Sequence, residues 1–126
     1  MSKGHVLVVE DHPDNQQLVT WILEDEKYEV TCAGSAEEGL ELLKNHRYIA
    51  VLMDISLPGM DGKQATQNIR QHLGLTQLPI FALTAHALQS EHNAIMQSGV
   101  TGLLTKPIDE TELVAVLAEA VISAEL

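Results

Sequence analysis

Val51-Leu-Met-Asp-Ile-Ser-Leu-Pro-Gly-Met-Asp-Gly62 runs apolar residues straight into a carboxylate, Asp54, and then breaks at Pro58-Gly59. A short apolar run without alternation suits a strand covered on both faces, as in a parallel sheet. Leaving an unpaired carboxylate at the end of such a strand costs on the order of several kcal/mol. The stretch therefore predicts a buried strand that ends on Asp54, with a positive partner or a metal ion close by.

Working outward, Val6 to Val9, Ile49 to Met53 and Pro79 to Leu83 are runs of the same kind, and Tyr28 to Ala33 and Gly102 to Thr105 are weaker strands. Helical periods lie between them. Pro13 opens one that carries Leu18, Val19, Ile22 and Leu23 on a single face, and Ser35-Ala-Glu-Glu38 forms a capping box before Leu40 and Leu43. Helices over Gly62 to Leu73 and Leu88 to Met96 follow, with Gly74 and Gly99 as C-terminal stops, and Asp109-Glu-Thr-Glu112 begins the last, which bears Leu113, Val116, Leu117 and Val121. Strand and helix alternate five times with short connections. The pattern predicts an α/β fold: a flavodoxin-like, doubly wound, five-stranded parallel sheet in the order 2-1-3-4-5 with five helices, a single domain over residues 1–126.

Composition narrows the class. At 126 residues the chain has length for one domain, and a 45% apolar share with 3% aromatics predicts a core of Leu, Val, Ile and Ala. A formal charge of −11 repels the phosphate backbone of nucleic acid, and no Lys or Arg cluster relieves it, so direct nucleic-acid binding is not expected. The lone Cys32 has no internal disulfide partner and is expected to be a small buried hydrophobe. No signal-peptide core or membrane-length apolar run is present, which predicts a cytoplasmic protein without membrane contact.

The residues that end the strands carry the chemistry. Glu10-Asp11 follows the first, Asp54 the third, Thr84 the fourth and Lys106 the fifth, all at the carboxyl edge where open α/β sheets gather ligands. Clustered carboxylates favour a hard cation such as Mg²⁺, which takes one or two of them and keeps phosphate oxygens in its shell. No triad-like motif, P-loop, CxxC or HExxH spacing appears. What remains is a carboxylate nucleophile: Asp54 attacks phosphorus to give an acyl phosphate, Mg²⁺ and Lys106 neutralise the phosphoryl oxygens, and Thr84 donates to one of them.

Val8-Val-Glu-Asp11, Met53-Asp54, Pro58-Gly-Met-Asp-Gly62, Leu83-Thr-Ala85 and Lys106-Pro107, in this order and spacing, resemble the receiver domain of two-component response regulators over the whole chain. The resemblance implies that Asp54 is the phosphoacceptor and that Glu10, Asp11 and the Ser56 main-chain carbonyl help it hold Mg²⁺. It also implies that Thr84 and Lys106 contact the phosphoryl group, and that the bond before Pro107 is cis. Asn15, Gln64-Ala-Thr66, Ile69-Arg70 and Leu83-Thr-Ala-His-Ala87 are closer in flavour to receivers associated with hybrid histidine kinases than to those of transcription factors. The implied donor is a phosphohistidine on a histidine kinase or a histidine phosphotransfer domain, with the receiver catalysing its own phosphorylation and slow autodephosphorylation rather than acting as a turnover enzyme. A monomer or weak dimer, through the last two helices, is implied. Two departures stand out: Leu103 occupies the usual aromatic switch position, and Glu10 opens the acid pair where Asp is common.

Other readings stay open at this level. A Mg²⁺-dependent phosphohydrolase resembling the haloacid dehalogenase superfamily would use an Asp nucleophile, but it wants a second Asp where Ser56 stands. A binding module that no longer accepts phosphate, and a fragment of a larger hybrid kinase, are the others. The six histidines, His5, His12, His46, His72, His86 and His92, show no ligand spacing and are expected to be solvated, with His12 and His86 flanking the site. Trp21 falls off the apolar stripe of the first helix and is expected to be partly exposed, as an anchor for the donor's helix.

Overall fold

Each strand in the computed structural model pairs in parallel with its neighbours in one five-stranded sheet, the strands standing, by their place in the chain, in the order 2-1-3-4-5. The structure describes residues 3–85 and 89–125. The elements are β1 (His5–Val9), α1 (Pro13–Asp25), β2 (Glu29–Ala33), α2 (Ala36–Asn45), β3 (Ala50–Asp54), α3 (Gly62–Gln71), β4 (Ile80–Thr84), α4 (Gln89–Gln97), β5 (Gly102–Thr105) and α5 (Glu110–Glu125). This is the flavodoxin-like arrangement the strand and helix periods predict.

The pleat divides the core in two. Leu7, Val9, Val51, Met53, Ile80 and Ala82 face Ala36 and Leu43 of α2, Ala65 and Ile69 of α3 and Ile95 of α4. Val6, Val8, Ala50, Leu52, Phe81, Leu83 and Leu104 face Val19, Ile22 and Leu23 of α1 and Leu113 and Leu117 of α5. Burial on both faces explains why the central strands read as continuous apolar runs.

Local chemistry sets the helix starts. Pro13 occupies the first turn of α1. The Ser35 hydroxyl accepts from the Glu38 N–H at 3.1 Å, while Glu38 reaches the N–H of Gly34 rather than that of Ser35. A full capping box at α3, unforeseen in the sequence, joins Asp61 and Gln64: the Asp61 carboxylate accepts from the Gln64 N–H and the Gln64 amide oxygen from the Asp61 N–H. Arg70 donates to three carbonyls, those of Leu75 and Leu78 at 2.7 Å and that of Gly99 at 2.9 Å. It thus ties α3 to the loop before β4 and to the turn after α4.

Several expectations need correction. Leu18, placed on the buried stripe of α1, is 41% exposed; the stripe is narrower and holds Val19, Ile22 and Leu23. Cys32 is half-buried, because β2 is an edge strand, and its Sγ lies 3.4 Å from the Thr20 hydroxyl. The α3 helix stops at Gln71, two residues early, since the N–H groups of both His72 and Leu73 turn back to the Asn68 carbonyl. His5 is not solvated: its Nε2 lies 2.5 Å from the Thr31 hydroxyl and its ring packs edge-on to Tyr48. His92 Nε2 is buried with no hydrogen-bond partner. His86, Ala87 and Leu88 lie outside the described residues. Among those described, no helix is long and apolar enough to cross a membrane.

Candidate functional site

Strand register brings the strand-end residues together. Val9 pairs with Met53, so Glu10 and Asp54 are each one step past a pair; Asp54 pairs with Leu83, one residue before Thr84; Thr84 pairs with Thr105, one residue before Lys106. Alternation then sets direction. Glu10, Asp54 and Lys106 each come two residues after a member of the α1/α5-facing core, namely Val8, Leu52 and Leu104, so all three project to the same side. Thr84 follows Ala82 of the opposite core and approaches from the other side.

The three groups meet. Lys106 Nζ lies 3.2 Å from Asp54 Oδ2 and 3.2 Å from Glu10 Oε2. Glu10 is fully buried, Asp54 is 3% exposed and Thr84 is 1% exposed. The other Asp54 oxygen, Oδ1, accepts from the Ser56 N–H at 3.0 Å. Asp11 is exposed at the rim, and Glu10, Asp11 and Asp54 each offer a carboxylate oxygen within 4.8 Å of the others. Ser56 is also exposed, and the Lys106-Pro107 bond is cis.

Electrostatics follow from this crowding. Burial raises the Glu10 pKa, helped by the neighbouring Asp54 carboxylate, while Asn15 and Lys106 oppose the shift. For Lys106, burial pulls the pKa down, but attraction from Asp54 and Glu10 outweighs it and leaves the ammonium above its usual value. The site is thus a cation held between two buried acids, with a third acid open to solvent.

Two contributors escaped the sequence reading. Gly62 packs against the Asp54 turn so closely that an added Cβ would stand 2.3 Å from the Asp54 carbonyl oxygen and 2.9 Å from Ile55 Cα. Its N–H donates to the Ile55 carbonyl at 3.3 Å. Only the glycine-bearing Pro58 to Gly62 turn hinted at this. The second is the set of donors around Glu10 from the N-cap and first residues of α1: Asn15 Nδ2 and the His12 N–H reach Oε1, and the Gln16 amide reaches the Glu10 carbonyl.

A family model described as response regulator receiver domain matches residues 6–118. The chain belongs to the response regulator receiver family. Among curated relatives, the sensor histidine kinase GacS of Pseudomonas protegens is 42% identical over 115 residues, covering 89% of this chain and 12% of the kinase. The chain therefore spans about an eighth of that kinase's length. An uncharacterized 14.6 kDa protein in the sodA1 3' region of Leptolyngbya boryana is 37% identical over 94% of this chain and 91% of its own length. Among solved structures, the receiver domain of sensor histidine kinase PA1611 from Pseudomonas aeruginosa, with a magnesium ion coordinated in its active-site cleft, aligns with a TM-score of 0.87 and 36% identity, covering 94% of this chain and 97% of that one.

Proposed function

We propose that this receiver is a phosphoacceptor switch in which Asp54 takes a phosphoryl group from a phosphohistidine of a histidine kinase or histidine phosphotransfer domain, in a Mg²⁺-dependent reaction. The observation that carries the reading is the position of Lys106 Nζ, 3.2 Å from Asp54 Oδ2, beside two further carboxylates. Three hard oxygen donors within 4.8 Å of one another, one of them exposed, suit Mg²⁺, which Asp11 and Asp54 would hold with Glu10 and the Ser56 carbonyl. When bound, the ion supplies charge neutralisation for the phosphoryl oxygens.

The chain's own residues do the rest. An Asp54 carboxylate oxygen forms the new bond to phosphorus as the bond to the donor imidazole breaks, and the imidazole leaves with that electron pair. Lys106 turns from its two carboxylate partners toward the phosphoryl oxygens. Thr84, at the end of β4, donates its hydroxyl to one of them. Leu103, half-buried against the core beneath α4, replaces an aromatic ring at the usual switch position, so the response is read through Thr84 rather than through ring burial. Water reaching the acyl phosphate returns Asp54 to its free form.

Exposed apolar residues on α1 support a docking role. Trp21 is 63% exposed and lines, with Leu18 and Ile22, a groove of about 600 Å³ edged by Glu24, Asp25 and Glu110. The donor's helix would seat there. Residues 1–126 act as one receiver unit, a cytoplasmic monomer or weak dimer without nucleic-acid binding, in keeping with the charge of −11.

Incubation with acetyl phosphate and Mg²⁺, followed by phosphate-affinity electrophoresis and phosphate release assays, tests the reading. Labelling that stops at one phosphoryl group per chain, without sustained hydrolysis of p-nitrophenyl phosphate, is expected. Continuous turnover of that ester would favour a phosphohydrolase instead.

A further inference from the structure

Glu10 presents its two carboxylate oxygens to different surroundings. Oε1 accepts from Asn15 Nδ2 at 3.0 Å and from the His12 N–H at 3.3 Å, and Oε2 faces Lys106 Nζ at 3.2 Å. The first two donors come from the start of α1, and the Gln16 amide of the same turn holds the Glu10 main-chain carbonyl. Glutamate has one more rotatable bond than aspartate, so at this position its head group needs an anchor that a shorter acid would not. The Asn15 contact is the shorter of the two to Oε1, and it is the one made by a side chain.

We infer that Asn15 is a positioning residue: its amide pins Oε1 against α1, so that Glu10 presents Oε2 to Lys106 and to the cation held with Asp11 and Asp54. The inference rests on the Mg²⁺ reading given above and assigns a role to a residue outside the set proposed to meet the phosphoryl group and the ion, one that donates to Glu10 Oε1. Without the Asn15 donor, a buried oxygen is left with one long backbone contact, and the head group turns to satisfy both oxygens on Lys106. Lys106 is then held more tightly between the acids, and Glu10 no longer meets the cation in a fixed orientation.

Calorimetric titration with Mg²⁺ alone separates this role from a purely structural one. The proteins are wild type, Asn15→Leu, Asn15→Gln, Glu10→Ala and the double variant Glu10→Ala with Asn15→Leu, each checked for a native circular dichroism spectrum. Asn15→Leu should weaken Mg²⁺ binding about tenfold, and Asn15→Gln, which keeps an amide donor, should stay within about threefold of wild type. In the Glu10→Ala background, Asn15→Leu should add less than about twofold, because its only route to the ion is gone. If Asn15→Leu does not fold, Asn15→Ser replaces it in the same cycle with the same expected coupling. Unchanged or tighter binding in the single variant, or an equal loss in both backgrounds, would overturn the role given to Asn15. Wild type that binds no Mg²⁺ would instead contradict the site reading on which the inference stands.

Discussion

Lys106 Nζ stands 3.2 Å from Asp54 Oδ2 and 3.2 Å from Glu10 Oε2, so a single ammonium joins two buried carboxylates from separate strand ends. Removing it leaves two like charges facing each other out of water. Lys106→Ala should therefore lower the metal-free stability by about 3 kcal/mol, the scale for breaking a buried pair from one side. Mg²⁺ should recover part of that loss. Urea unfolding in EDTA and in Mg²⁺ measures both, and equal stability of wild type and variant in EDTA would contradict the bridge.

A pH dependence follows from Glu10. Its pKa is raised in the folded protein by burial and by the neighbouring Asp54, so the folded state binds this proton more tightly than the unfolded state does. That contribution is present at low pH and is lost as pH rises from the ordinary glutamate value of 4.5 through the raised one. The difference in metal-free stability between wild type and Glu10→Gln should thus change in favour of the variant across that interval. Urea midpoints measured in EDTA at steps of pH check the sign, and a flat difference would refute it.

Gly62 sets how near the start of α3 can come to the Asp54 turn. A methyl group there would meet the Asp54 carbonyl oxygen at 2.3 Å, a backbone atom that cannot swing aside. Gly62→Ala should destabilise the fold by about 2 kcal/mol and slow phosphorylation by displacing Asp54. Thermal unfolding and the rate of acetyl phosphate labelling report the two effects separately.

Trp21, 63% exposed, tests the proposed docking face on α1. Its exposed ring makes no claim on the chemistry at Asp54, so Trp21→Ala should slow transfer from a phosphohistidine donor while leaving acetyl phosphate labelling intact. Unchanged transfer from the donor protein would remove α1 from the interface.

Much of this was legible in the residues themselves, for physical reasons that also mark where legibility stops. Double-sided burial made Val6 to Val9 and Val51 to Met53 readable as parallel strands, and a parallel sheet puts every strand's carboxyl end on one edge. Glu10, Asp54, Thr84 and Lys106 could therefore be assigned one address from sequence. Which of them touch is a matter of pleat and register, and the Glu10–Lys106 contact emerges only when Val9 is seen to pair with Met53 and Thr84 with Thr105. Leu18 misled because the apolar stripe of α1 is one residue wider in sequence than the surface it covers. The Asp61 capping box lay hidden inside a motif already assigned to the turn, and the clearance at Gly62 depends on two backbone segments whose spacing no local pattern encodes.

The most direct measurement is the intact mass of wild type and Asp54→Ala after treatment with acetyl phosphate, each with Mg²⁺ and with EDTA. A gain of one phosphoryl group in wild type with Mg²⁺, absent in EDTA and absent in Asp54→Ala, is the expected result. Labelling of Asp54→Ala to the same extent, or none in wild type with Mg²⁺ present, would contradict the assignment of Asp54 as the phosphoacceptor.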